Sequence, residues 1–201
     1  MVVVNDSSST EIEAWRTLAA DFRDDACVLR LLVLETGEGH WPSVNAAARW
    51  AHIARLSNLA ITDPTFMDCQ FGGMYVESDL DWEPSEVLEM HTRAVDEEVC
   101  VSPLNLNSPR EYYDTWGTQI DGRTFRREIP WSSSVPSMST DPCFVPAEYV
   151  AGCTVFPTHT LSLIREGKIR FSAQDCYRGL CDDINRHSKL ELATHIGVFH
   201  P

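Results

Sequence analysis

Apolar and polar residues fall in blocks along this chain, and the block period switches repeatedly between two and 3.6. Val2–Val4 is a short apolar run that stops at the turn formers Asn5 and Asp6, which predicts a buried strand. Thr10 and Glu13 have capping-box spacing, and Ile12, Trp15, Leu18, Ala19 and Phe22 then recur at helical period. Cys27–Leu34 is apolar apart from Arg30, as in a strand covered on both faces. Gly37 and Gly39 end it, and Pro42 opens a helical pattern through Ala46, Trp50, Ile53 and Leu56 to Leu59. Phe71–Val76 predicts a third strand, Ser85–Val95 a helix and Glu98–Ser102 a fourth strand.

This alternation predicts βαβ units, hence an α/β fold with a mostly parallel sheet and helices on both faces. Right-handed crossovers then gather the strands' carboxyl ends on one edge, where open α/β sheets bind ligands. The second half differs. Tyr112–Ile120, the Asp121-Gly122 turn and Arg123–Ile129 predict an inserted β-hairpin. Residues 130–142 are rich in Ser and Pro and predict a loop. Tyr149–Phe156 predicts a strand, Thr160–Arg165 a helical turn, Ala173–Arg186 a helix and Glu191–Phe199 a closing strand. The expected organisation is one domain over residues 1–201.

Charge narrows the partners. The 201 residues carry a formal charge of −14, and residues 1–143 hold 24 acidic against 10 basic side chains. A nucleic-acid binder needs a basic face, so this stretch argues against one. The apolar runs fall short of the ~20 residues of a membrane span, and no signal segment opens the chain, so a cytoplasmic setting is expected. Seven cysteines without tight pairing read as reduced core thiols. Cys153, His159, Cys176, Cys181 and His187 match no compact zinc spacing.

The most informative segment is Met74-Tyr-Val-Glu77-Ser78-Asp79-Leu80-Asp81-Trp82-Glu83-Pro84. An apolar strand runs straight into carboxylates at the sheet edge, and a helix follows at once. Two readings fit. One is a solvated strand end, with Glu83 and Glu86 set against the helix dipole. The other is a hard-cation site, since Mg²⁺ and Mn²⁺ take carboxylate oxygens and bridge them to phosphates.

Glu77-Ser78-Asp79 after a strand, with Pro84 opening the next helix, resembles the acidic metal motif of GT-A fold glycosyltransferases, enzymes that use nucleotide sugars. Val2–Asn5 and Leu29–Glu35 resemble their first two nucleotide-binding strands, and Arg49–Asn58 the helix that presents Arg and Asn beside the nucleotide. Glu111–Phe125 resembles a hairpin of fungal-capsule-type mannosyltransferases and their bacterial and phage relatives. Val150–Phe156 is similar to the strand behind the donor sugar, and Val198-Phe199-His200-Pro201 to a closing V-x-H-P.

The resemblance implies a single GT-A (Rossmann-like) domain, with a nucleotide-binding half at 1–104 and an acceptor-binding half at 105–201. It also implies a nucleotide-sugar donor, with a hexose as the expected sugar, and a divalent cation, Mn²⁺ or Mg²⁺. Asn5, Glu35, Arg55, Asn58, Glu77, Ser78 and Asp79 would contact the donor. Asp79, Asp81 and His200 would hold the cation, and Trp116 and Trp131 would stack on acceptor sugar faces. Asp175, or Asp182 in its place, would take the proton of the acceptor hydroxyl in an inverting displacement. The acceptor itself (glycan, protein or nucleic-acid-linked) is left open. The family's first acid is usually Asp and here it is Glu77, while Asp79-Leu80-Asp81 gives a second Asp-x-Asp, so both pairs stay open for the metal.

Two alternatives compete. Residues 144–182 also resemble the helix-turn-helix of excisionase-type DNA binders, which would make 150–156 helical. A non-catalytic acidic interaction protein would account for the charge alone.

Overall fold

The computed structural model describes residues 2–21, 30–37, 46–77, 80–108, 111–112, 118–124 and 143–200. The first half follows the predicted alternation: β1 (Val2–Asn5), α1 (Ser9–Asp21), β2 (Leu31–Leu34), α2 (Ala47–Ile61), a short α3 (Pro64–Met67), β3 (Gly73–Val76), α4 (Pro84–Glu97) and β4 (Cys100–Ser108). Local chemistry sets several boundaries. Asp63 caps α3 by accepting from the Thr65 N–H, with Pro64 at the first helical position. Pro84 opens α4, and Glu98 closes it in the left-handed conformation.

The second half holds β5 (Glu111–Tyr112), β6 (Gln119–Ile120), β7 (Arg123–Thr124), β8 (Phe144–Pro146), β9 (Cys153–Phe156), α5 (Thr158–Arg165), α6 (Tyr177–His187) and β10 (Leu190–Phe199). The Asp121-Gly122 turn joins β6 to β7 with positive φ at both residues, as a tight hairpin requires. Its expected first arm differs at the start, because β5 pairs with β4 instead.

The α/β class holds, but the expectation of a mostly parallel sheet is corrected. β1 and β2 pair in parallel as a separate two-stranded unit. The main sheet runs β3-β9-β4-β10-β8, with β5 added against β4. Only β4 and β10 pair in parallel there; β9 is antiparallel to both neighbours, and β8 to β10. The physical reason lies in the order of the strands. The β3-α4-β4 crossover does leave β3 and β4 pointing the same way, but one strand-width apart, and β9 fills the gap. Hydrophobic period reports that a segment is a strand, not which strand lies beside it.

Apolar layers cover both faces of the main sheet. Met90 and Ala94 of α4 pack on Val101, Val155 and Ala193 on one side. On the other, Leu161 and Ile164 of α5 and Leu180 and Ile184 of α6 pack with Leu104, Phe156 and Leu192. Neighbours such as Val155 and Phe156 enter opposite layers, the period-two signature of a strand covered on both sides. Cys153–Phe156 is buried throughout and extended, which removes the helix needed by the DNA-binding alternative.

Candidate functional site

The carboxyl end of β1 meets that of β2 in a polar cluster. Asn5 Nδ2 lies 2.9 Å from Asp6 Oδ2, 3.0 Å from Thr36 Oγ1 and 3.3 Å from His52 Nε2. Thr36 Oγ1 donates to Asp6 Oδ2 at 2.8 Å, and the Gly37 N–H donates to Asp6 Oδ1 at 3.0 Å. On α2, one turn from His52, Arg55 Nη2 stands 3.2 Å from His52 Nδ1. Glu35 is exposed beside this cluster. Of the expected donor contacts, Asn5 and Arg55 are therefore joined through His52, a residue the sequence had not singled out.

Asn58 is occupied differently. Its amide donates to the Phe171 carbonyl and its Oδ1 accepts from the Phe171 N–H, both at 2.9 Å, which clamps the loop before α6 onto α2. Phe171, Tyr75 and Tyr177 then form an aromatic group with ring centroids 5.0–6.3 Å apart. Ser57 Oγ lies 2.8 Å from Tyr75 Oη, and Tyr177 Oη donates to Glu77 Oε1 at 2.5 Å. Burial, followed by the nearby Glu77 charge, pushes the Tyr177 phenol well above its ordinary value, so it stays a donor.

The acidic segment is gripped at both ends by the sheet. The Glu77 N–H donates to the Gly152 carbonyl at 2.9 Å. Asp81 and Phe199 exchange two backbone hydrogen bonds at 2.8 and 2.9 Å, and the next N–H, of His200, donates to the Leu106 carbonyl. Asp81 is thereby set beside the chain that carries His200, although the two lie far apart in the sequence. Ser78 and Asp79 lie outside the described residues, as do Trp116 and Trp131. Among the described residues, no three His, Cys, Asp or Glu side chains gather closely enough to hold a metal ion.

Gly152 makes this grip possible. Its φ is +77°, and a Cβ there would stand 2.6 Å from Asn105 Nδ2. Asn105, 5% exposed on β4, donates to the Ala151 carbonyl at 2.5 Å, while its buried Oδ1 has no partner among the described residues.

The two base candidates on and before α6 part company. Asp175, the residue before the N-cap Cys176, is exposed, and its Oδ1 accepts from the Gly179 N–H at 3.1 Å, a capping bond to the first turn of α6. Its charge and that of Glu77 both act on the Cys176 thiol, which burial above all raises to about 12. Asp182 instead accepts from Tyr149 Oη at 3.0 Å, with Arg178 over the Tyr149 ring. Cys176 itself has a φ of 48°, unusual for a residue with a side chain.

Neither a protein-family model nor a curated protein sequence matches the chain. Among solved structures, the chain is similar to a UTP-bound UGPase from Acinetobacter baumannii, with 9% identity and a TM-score of 0.43. That match covers 96% of this chain and 65% of the other. No described helix is long and apolar enough to cross a membrane.

Proposed function

We propose that the chain is a metal-dependent glycosyltransferase that moves a hexose from a nucleotide-sugar donor to an acceptor hydroxyl. The observation that carries this reading is the backbone pairing of Asp81 with Phe199, next to His200, while Gly152 holds the other end of the same acidic segment at Glu77. Carboxylates and an imidazole make a donor set that suits Mn²⁺ or Mg²⁺.

In this reading Asp79, Asp81 and His200 would hold the cation, which when bound would supply positive charge against the leaving diphosphate. Arg55 faces the diphosphate or base, and Glu35 accepts from the ribose or base. Glu77 and Ser78 face the donor sugar. Asp175 takes the acceptor's proton as its oxygen attacks the anomeric carbon, giving inversion. Trp116 and Trp131 stack on the acceptor.

Thermal melts with UDP, GDP, CDP and dTDP, with and without Mn²⁺, test the reading. One of the four is expected to raise the midpoint only when Mn²⁺ is present, and Asp79→Ala to remove that rise while keeping the unliganded midpoint. A panel with no metal-dependent rise overturns the proposal.

A further inference from the structure

We infer that Tyr177 is a positioning residue for Glu77, at the end of a chain of hydroxyls that ties the acidic segment to α2. The oxygens stand in sequence: Ser57 Oγ to Tyr75 Oη is 2.8 Å, Tyr75 Oη to Tyr177 Oη 3.5 Å, and Tyr177 Oη to Glu77 Oε1 2.5 Å. Each hydroxyl has one proton, and a carboxylate only accepts. One assignment serves all three contacts: Ser57 donates to Tyr75, Tyr75 to Tyr177, and Tyr177 to Glu77. The contacts to a charged acceptor are the strong ones in such a chain, so Glu77 anchors its direction.

The two ends belong to different parts of the site. Ser57 lies on the helix that brings His52 to Asn5 and carries Arg55. Glu77 opens the acidic segment at the end of β3. The chain therefore links the helix that carries Arg55, assigned to the nucleotide, to the first residue of the acidic segment. What it positions rests on the nucleotide-sugar reading; the chain itself rests on the distances above. Tyr75 and Tyr177 pack against Phe171, so replacing either with Phe deletes a hydroxyl and keeps the ring packing.

The full chain is compared with Tyr177→Phe, Glu77→Gln and the double variant, using two readouts. Hydrogen exchange without ligand reads the coupling alone. Tyr177→Phe is expected to speed exchange in peptides over residues 74–83 and to leave residues 190–199 unchanged, with the double variant no faster than the faster single one. Unchanged exchange over 74–83 overturns the chain of hydroxyls whatever the ligands do. Affinity for the nucleoside diphosphate of the panel is then measured with and without Mn²⁺. Tyr177→Phe should weaken Mn²⁺-dependent binding roughly 10-fold and leave metal-free binding within about 2-fold. A fall in melting temperature with the ratio of the two affinities unmoved would make Tyr177 a packing residue only and overturn the positioning role. A wild-type chain with no metal-dependent binding overturns the nucleotide-sugar reading instead, and exchange over 74–83 still decides the coupling.

Discussion

The main sheet and the β1–β2 unit hold their functional residues by opposite means. In the main sheet, β3, β9, β4 and β10 interlock with buried apolar layers on both faces, and the acidic segment is tied at its ends by backbone hydrogen bonds to the Gly152 carbonyl and with Phe199. In the β1–β2 unit all four residues of β2 are half-buried and α1 buries no residue. Asn5, Asp6, Thr36 and His52 hold one another there through side-chain contacts. The lesson is one of stiffness: backbone pairing inside a buried sheet holds a segment fixed, whereas side chains that hold only one another can rearrange. Apolar burial stabilises more than partly exposed polar contacts do, so the main sheet should withstand perturbations that loosen the β1–β2 end.

High pH should reverse that ranking, and it is the largest effect expected. Burial raises the Cys100, Cys153 and Cys176 thiols from 9.0 to about 12, and all three belong to the main-sheet half. Between those values the unfolded chain has lost these protons and the folded chain keeps them. Folding therefore carries more bound protons, and stability falls as pH rises above 9. The loss is on the order of 1 kcal/mol per thiol per pH unit. Urea melts at pH 8, 9, 10 and 11 should show a falling midpoint, blunted in Cys100→Ala. A midpoint flat to pH 11 would show that these thiols are not closed off from water.

Gly152→Ala attacks the main sheet at the point where it holds the acidic segment. The left-handed φ costs the new residue about 1 kcal/mol. Its Cβ also displaces the buried Asn105 amide, and losing that bond to Ala151 adds about 1–3 kcal/mol. A destabilisation of about 2–4 kcal/mol by chemical denaturation is expected. An effect below about 1 kcal/mol would mean that Asn105 has room to step aside.

Thr36→Val tests the other side of the comparison. Valine keeps the shape but deletes the donor to Asp6 and the acceptor for Asn5, at a cost of about 1 kcal/mol. Hydrogen exchange should quicken over residues 2–6 and 31–37 and stay unchanged over 100–106 and 153–156. Quickening in both places would show one cooperative unit and dissolve the contrast drawn between the two regions.

The same contrast explains what could be read from the sequence. Every predicted strand and helix with a strong period has a counterpart within the described residues, because burial on both faces writes a clear pattern. Strand neighbours were illegible: Cys153–Phe156 reads as a strand, yet nothing in its pattern says that it enters between β3 and β4. Glu77 and Asp81 stand out in the sequence because carboxylates interrupt an apolar segment at the end of a strand. His52, Ser57, Tyr75 and Tyr177 do not. Each sits inside a helix or strand at a position that packing alone would explain, and each has a polar partner at least eighteen residues away in the sequence. Asn58 and Asp175 show the converse, since both also do local structural work on the Phe171 loop and on α6.

Asp175→Asn should have the smallest effect on stability and the most to say about mechanism. Asparagine can accept from the Gly179 N–H as aspartate does, so the cap is kept and stability should move by only a few tenths of the ~1 kcal/mol a lost cap costs. As an amide it cannot take a proton. If Asp175 is the base, transfer to the acceptor should fall ~10²–10⁴-fold, the range for a lost general base, while Mn²⁺-dependent nucleotide binding is unchanged. Hydrolysis of the donor by water should persist, because the residues that meet the leaving diphosphate are untouched. That split between transfer and hydrolysis is what a merely structural Asp175 would not produce. Undiminished transfer would assign Asp175 to the cap alone and pass the role to Asp182, whose Tyr149 contact would first have to break. If Asp182→Asn were equally active, direct inversion would fail for this chain, and a retaining route, with the leaving phosphate as the base, would be the account left to test.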